Sequence, residues 1–222
     1  MKLYYSPGAC SLASHIALEE AQLPYTTDKV DLKSKRTAEG DDYLAVNDKG
    51  YVPTLVLDDG GVLTENAVVL QYLGDRAGSS DLLPPVGDFR RYRVLELVNF
   101  ITTELHKSFG PLFSPQAGDE TKQFMRDNIG SKLDYLEKRL GDGPFLMGEQ
   151  LTLPDPYLFV ITGWADKMIG LDRWPNLRAF RERMMKRPAV RHGSRSAAQV
   201  RRRRSRRQFP MLLGRKLPTS AL

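Results

Sequence analysis

One cysteine, Cys10, stands where the apolar stretch Leu3-Tyr4-Tyr5 passes through Ser6-Pro7-Gly8 into a helical pattern of Leu12, Ala13, Ile16, Ala17 and Ala21. That spacing puts a thiol at the first turn of a helix, where unsatisfied N–H groups carry partial positive charge. The field there favours thiolate over thiol, so the sequence predicts a Cys10 more acidic and more reactive than a free cysteine. The plainer alternative is a buried cysteine acting as a small hydrophobe. Ser11 is placed to cap the turn, and Pro24 to stop the helix. A second chemical pair, Glu65-Asn66, precedes the apolar run Ala67-Val68-Val69-Leu70. A carboxylate at a helix start serves either as a simple cap or as the partner of a ligand's ammonium.

The elements that must carry these residues follow from the pattern around them. Tyr25 to Asp31 reads as a second strand, parallel to the first because a helix crosses between them. Lys33 to Gly40 is polar and weakly patterned, a loop or short irregular helix ending near Leu44. Val52-Pro53-Thr54-Leu55-Val56-Leu57, then Asp58-Asp59-Gly60-Gly61 and Val62-Leu63-Thr64, make a hairpin. Pro53 should open its strand, since proline is poorly tolerated inside a paired one. A cis Val52-Pro53 bond would present the Val52 backbone to an extended ligand, and a trans turn is the commoner form.

Glycines and prolines across residues 74–87 (Gly74, Gly78, Pro84, Pro85, Gly87) mark a linker, drawn at 81–87, between a first domain at 1–80 and a second at 88–192. The second domain reads as helical throughout. Phe89 to Phe109 carries Tyr92, Leu95, Val98, Ile101, Thr102, Leu105 and Phe109 on its apolar side. Thr121 to Leu140 turns Phe124, Met125, Ile129, Leu133, Leu136 and Leu140 inward. Thr152-Leu153-Pro154-Asp155 resembles a capping box ahead of Tyr157, Phe159, Val160, Ile161 and Trp164, with Pro156 predicting an irregular start. Asn176 to Met185 is read as the last helix, stopped at Arg187-Pro188.

The net charge of the 222 residues is +6, but ten of the 33 Lys+Arg lie in residues 191–222, which hold no acid. Residues 1–190 therefore keep 23 Lys+Arg against 27 Asp+Glu, a net of −4. The Arg-rich segment 193–222 reads as a solvated, irregular tail, with attachment to nucleic acid or a membrane surface as its functional alternative. One cysteine excludes an intramolecular disulfide, and His15, His106 and His192 are too scattered for a metal, so a cytoplasmic protein without metal is expected. No run of 18 apolar residues suggests a membrane span.

Tyr5-Ser6-Pro7-Gly8-Ala9-Cys10-Ser11-Leu12-Ala13, Asn47 to Pro53, Leu63-Thr64-Glu65-Asn66 and Thr103-Glu104-Leu105-His106-Lys107 occur in the same order as in the bacterial beta class of glutathione transferases, which the chain resembles over roughly residues 1–192. The resemblance implies an α/β thioredoxin-like N-terminal domain plus an all-α helical domain, acting as a homodimer that conjugates glutathione, its cosubstrate, to small hydrophobic electrophiles in detoxification. It implies Cys10 and His106 beside the glutathione sulfur, and Lys35 on the glycine carboxylate. Val52 would ladder with the tripeptide beside cis-Pro53, with Glu65 and Asn66 at the γ-glutamyl end. Asn99, Thr103, His106 and Lys107 would be the helical domain's share, part of it reaching across a dimer interface; spacings of four and three put Asn99, Thr103 and His106 on one helix face. Asn66 stands where the family often has a small residue. A glutathione-dependent disulfide reductase using Cys10, and a non-catalytic scaffold with a nucleic-acid-binding tail, are the alternatives.

Overall fold

The computed structural model describes residues 1–78 and 82–194. The Arg-rich tail from residue 195 onward, and residue 81 of the expected linker, lie outside the described residues. The first half is a five-stranded sheet in the order β3-β2-β1-β4-β5. β1 (Lys2–Tyr5) pairs in parallel with β2 (Thr26–Asp31), and α1 (Ser11–Glu20) crosses between them. The edge is closed by β3 (Arg36–Thr37), a two-residue strand inside the segment read as a loop. β4 (Thr54–Val56) and β5 (Val62–Thr64) form the hairpin, and Pro53 lies just before β4 in a cis peptide bond with Val52.

α1 ends before Pro24 is reached, because Gln22 takes a positive φ of 52° and turns the chain. Its interior is buried almost all round, the polar Ser14 and His15 included. α2 (Asn66–Arg76) follows β5 and runs through Gly74, where a Cβ would come within 2.7 Å of the Leu83 Cβ. Only glycine lets the connecting segment approach so closely. Leu82 and Leu83 are buried against the core, and the Leu82 carbonyl accepts from the Leu153 N–H. The junction between the halves is thus packed in place.

The helical half contains α3 (Phe89–Phe100), α4 (Gly110–Phe113), α5 (Asp119–Leu140), α6 (Pro154–Met168) and α7 (Pro175–Lys186). The continuous helix expected over Phe89 to Phe109 changes character partway. Ile101–His106 is a π-helical segment and Lys107–Phe109 a 3₁₀ turn. The hydroxyls of Thr102, Thr103 and Ser108 each donate to the carbonyl four residues back, which loosens and bends a helix. Tyr92 is 58% exposed and Phe124 65% exposed, so neither faces inward as predicted, while Leu95 and Met125 are half-buried. Leu95 still packs against the core.

α6 starts regularly at Pro154, correcting the expected irregularity. Pro156 falls in the first turn, where N–H groups have no intrahelical acceptor to lose. The Thr152 hydroxyl does not cap the helix; it donates to Asp155, whose buried carboxylate also accepts from the Thr152 and Leu146 N–H groups. Nor is α7 the last helical stretch, since residues 188–194 are helical too and Gly193 packs against Leu12 and His15. Among the described residues no helix is long and apolar enough to cross a membrane.

Candidate active site

A cleft of about 530 Å³ opens between the two halves. The turn Ser6–Cys10, the Tyr51–Pro53 segment and the start of α2 form one side; the π segment, α4 and α6 form the other. The Tyr51–Pro53 segment is held from below by buried polar groups. Tyr43 donates to the Tyr51 carbonyl at 2.7 Å, and Asn47 Nδ2 donates to the same carbonyl and to Thr54 Oγ1, both at 2.9 Å.

Cys10 is the residue immediately before α1, and its Sγ donates to the Val52 carbonyl at 3.4 Å. The carbonyl expected to ladder with a tripeptide thus meets the cysteine. Ser11 does not cap the helix; its Oγ accepts from the Ser6 N–H at 3.2 Å and ties the turn. The expectation of an acidic thiol is overturned. Burial pushes the Cys10 pKa up to about 11, outweighing the pull of the Cys10 and Ser11 N–H groups and of Lys107. At neutral pH Cys10 is a thiol, a hydrogen-bond donor.

His106 reaches the cleft from the π segment, its Nδ1 2.6 Å from the Tyr157 hydroxyl. Burial, aided by Lys107, pushes its pKa down to about 4, so the imidazole is neutral at physiological pH. Its ring meets Trp164 edge-on at 5.0 Å, and Trp164 packs perpendicular to Phe113 at 5.1 Å. These rings form an apolar wall. The Trp164 Nε1 crosses to the first half and donates to the Gly8 carbonyl at 2.9 Å.

Glu65 lies at the start of α2 with φ 67°, a left-handed value that costs a non-glycine residue about 1–3 kcal/mol. It does not cap α2 through its side chain; the carboxylate accepts from Lys49 Nζ at 2.6 Å. Asn66 is buried in the cleft wall, its Oδ1 accepting from Ser14 at 2.7 Å, while its Nδ2 has no partner at bonding distance.

The structure therefore gathers Cys10, Val52, Pro53, Glu65, Asn66, His106 and Lys107 around one cleft. It leaves three expected residues outside the wall. Lys35 sits behind Tyr51, its Nζ on the Gly50 carbonyl at 2.8 Å and 5.6 Å from the Tyr51 ring centre. Asn99 and Thr103 are exposed, and they do not share a face with His106 because the π segment takes more residues per turn. Thr102, read as apolar-side, lines the cleft in their stead. Sequence reasoning also missed Lys49, Phe113, Tyr157 and Trp164 as site residues. The one available signal was a polar handle on the aromatic residues of an otherwise apolar helix.

Two family models match the chain, one described as the glutathione S-transferase N-terminal domain over residues 8–76 and one as its C-terminal domain over residues 100–188. Glutathione S-transferase GstA of Escherichia coli O157:H7 is 46% identical over 191 residues, covering 86% of this chain and 95% of GstA. A ternary complex of BphK, a bacterial transferase, superposes with a TM-score of 0.86 at 48% identity, covering 89% of this chain and all of that one. A sphingomonad glutathione S-transferase complexed with glutathione has a TM-score of 0.86 at 40% identity, covering 89% and 99%. With both halves matched, and a thiol and an imidazole brought together across their junction, the chain belongs to the glutathione S-transferase family.

Proposed function

We propose that the protein adds the glutathione thiolate to small apolar electrophiles, with Cys10 and His106 as neutral donors that hold the sulfur. The observation that carries this reading is one cleft in which a thiol and a neutral imidazole adjoin an apolar wall of Phe113 and Trp164. A donor that is not itself charged stabilises a developing thiolate without exchanging a proton with it. The γ-glutamyl ammonium is assigned to Glu65 and its amide neighbour Asn66, and the peptide backbone to Val52 beside cis-Pro53. Lys107 lends positive potential to the sulfur site. The glycine carboxylate is assigned to Lys35, a long half-buried side chain at the Tyr51 rim.

The protein is inferred to act as a homodimer in the cytoplasm, in detoxification. Asn99 and Thr103, exposed beside the cleft, are assigned to the neighbouring subunit's site, and exposed Phe89, Tyr92 and Phe124 supply apolar surface for assembly. The high pKa of Cys10 weighs against the disulfide-reductase reading, which needs its thiolate. The test is glutathione-dependent conjugation of 1-chloro-2,4-dinitrobenzene alongside sedimentation of the purified protein. Turnover by a dimer is expected; a folded protein that binds glutathione in calorimetry yet conjugates neither this nor other aryl and alkyl halides would remove the reading.

A further inference from the structure

Tyr157 lies in the apolar run Pro156-Tyr157-Leu158-Phe159-Val160-Ile161 and is fully buried in α6, so its hydroxyl must find a protein partner or forfeit its hydrogen bonds. Among the described residues its one partner at bonding geometry is His106 Nδ1, at 2.6 Å. The two rings meet edge-on, with centroids 5.8 Å apart and an 80° interplanar angle, and Trp164 holds His106 in a second edge contact. We propose that Tyr157 is a positioning residue whose hydroxyl donates to His106 Nδ1, leaving the imidazole proton on Nε2 as a fixed donor facing the cleft. This rests on the reading of the cleft as a glutathione site.

A neutral imidazole carries one N–H, and the other nitrogen accepts. Burial keeps His106 neutral, so the 2.6 Å contact has one proton and two possible owners. If Nδ1 owned it, the Tyr157 proton would be left buried with no acceptor at bonding geometry among the described residues. No other group among the described residues bonds the hydroxyl: Asn66 can turn only its Nδ2 donor toward it, because Ser14 donates to its Oδ1, and Thr102 gives its own proton to the Val98 carbonyl. The Tyr157 proton therefore goes to Nδ1, and Nε2 carries the imidazole N–H. The charged and titratable groups around the pair are Lys107 beside His106, with Cys10 and Glu65 near Tyr157. Tyr157 keeps its proton throughout, since burial pushes its pKa well above the ordinary phenol value. The glutathione thiol then loses its proton to solvent, and His106 and Cys10 each keep theirs while donating to the sulfur. No covalent bond to the protein is made.

The experiment is nitrogen NMR of the full-length protein with ¹⁵N-labelled histidine, with His106→Gln assigning the His106 signals among three histidines. The native protein should show protonated Nε2 and bare Nδ1 at neutral pH, and Tyr157→Phe should show mixed tautomers. Protonated Nδ1 in the native protein, or an unchanged His106 pattern in Tyr157→Phe, would overturn the proposal. In parallel, the ultraviolet absorbance of bound glutathione thiolate is followed against pH. Tyr157→Phe should raise the apparent thiol pKa by about one unit, so that kcat falls about tenfold at neutral pH and recovers at alkaline pH, with KM changed less than about twofold. An equal loss at every pH would mark Tyr157 as a packing residue only and refute its positioning role. The tautomer is read without glutathione, so a protein that fails to bind glutathione would remove the functional reading and leave the Tyr157–His106 result standing.

Discussion

Lys49 Nζ lies 2.6 Å from Glu65 Oε1 and 2.7 Å from Thr64 Oγ1, so the carboxylate assigned to the ligand's ammonium already carries a lysine. Both partners are substantially exposed, and such pairs contribute about 0–1 kcal/mol, less than the ~1.5–3 kcal/mol of a charge-assisted bond inside a site. Displacing Lys49 should therefore be easy. Glu65→Gln is expected to weaken glutathione binding about tenfold or more, and Lys49→Met to change it less than about threefold, by calorimetry. Equal effects of the two would reduce Glu65 to one half of a surface ion pair.

Cys10 should alkylate slowly. A pKa of about 11, against 9.0 for the ordinary thiol, leaves roughly a hundredfold less thiolate at neutral pH, which iodoacetamide labelling followed by mass spectrometry would register. Cys10→Ser should keep a substantial part of the conjugating activity, because a hydroxyl also donates to sulfur. Labelling faster than free glutathione would mean that the helix start prevails over burial.

His106 should make the fold acid-sensitive. Its pKa is lowered from 6.5 to about 4, so between those values the unfolded chain binds a proton that the folded protein does not. Stability present above pH 6.5 is then lost as pH falls toward 4, and buried His15 acts in the same direction. Urea denaturation of His106→Gln at pH 7 and pH 5 should show a smaller drop than the native protein. An identical drop would place the acid sensitivity elsewhere.

Asp155 offers the opposite slope. Burial raises its pKa from 3.8 to about 6, so its ionised form is less favoured in the fold than in the unfolded chain, and stability from this group declines as pH rises through that window. Asp155→Asn replaces one accepting oxygen with a donor facing N–H groups, and should cost about 2–3 kcal/mol. The gap between native and variant proteins should narrow from pH 4 to pH 6 in denaturant titrations; a constant gap would contradict the raised pKa.

The tail should be dispensable for glutathione binding. The cut belongs after Ser194, because residues 193–194 belong to a helical stretch and Gly193 packs on α1. Nine Lys+Arg lie beyond that point, so the shortened chain keeps 24 against 27 Asp+Glu and turns net acidic. Unaltered glutathione affinity is expected, with any binding of RNA or DNA by the full chain steeply salt-dependent and abolished by the cut. Lost affinity in a folded truncation would bring the tail into the site.

Much of the fold was written in local pattern. Alternation, the helical period after Cys10 and the position of Pro53 gave the strands, α1 and the hairpin, because each reflects one residue's own backbone preferences. The switch to π geometry at Ile101–His106 left no such mark, since a single inserted residue barely alters apolar spacing over one turn. Reading a uniform helix through it put Asn99, Thr103 and His106 on one face and Thr102 on the apolar side. The Cys10 pKa failed for a different reason: a helix start is local, whereas burial by the Tyr51–Pro53 segment and the helical half is a product of tertiary packing. Lys35 was assigned through the family resemblance, and nothing in its spacing told it apart from Lys49, since which lysine lines a cleft depends on the path of an irregular loop.

The bond from Trp164 to the Gly8 carbonyl joins residues 156 positions apart. On a growing chain the turn that carries Cys10 is made before α6, and that carbonyl gains its donor and the cleft its aromatic wall only once Trp164 has left the ribosome. A chain released before α6 would carry the cysteine without the Trp164 wall of the cleft. The cleft has both its sides only when the two halves have been made.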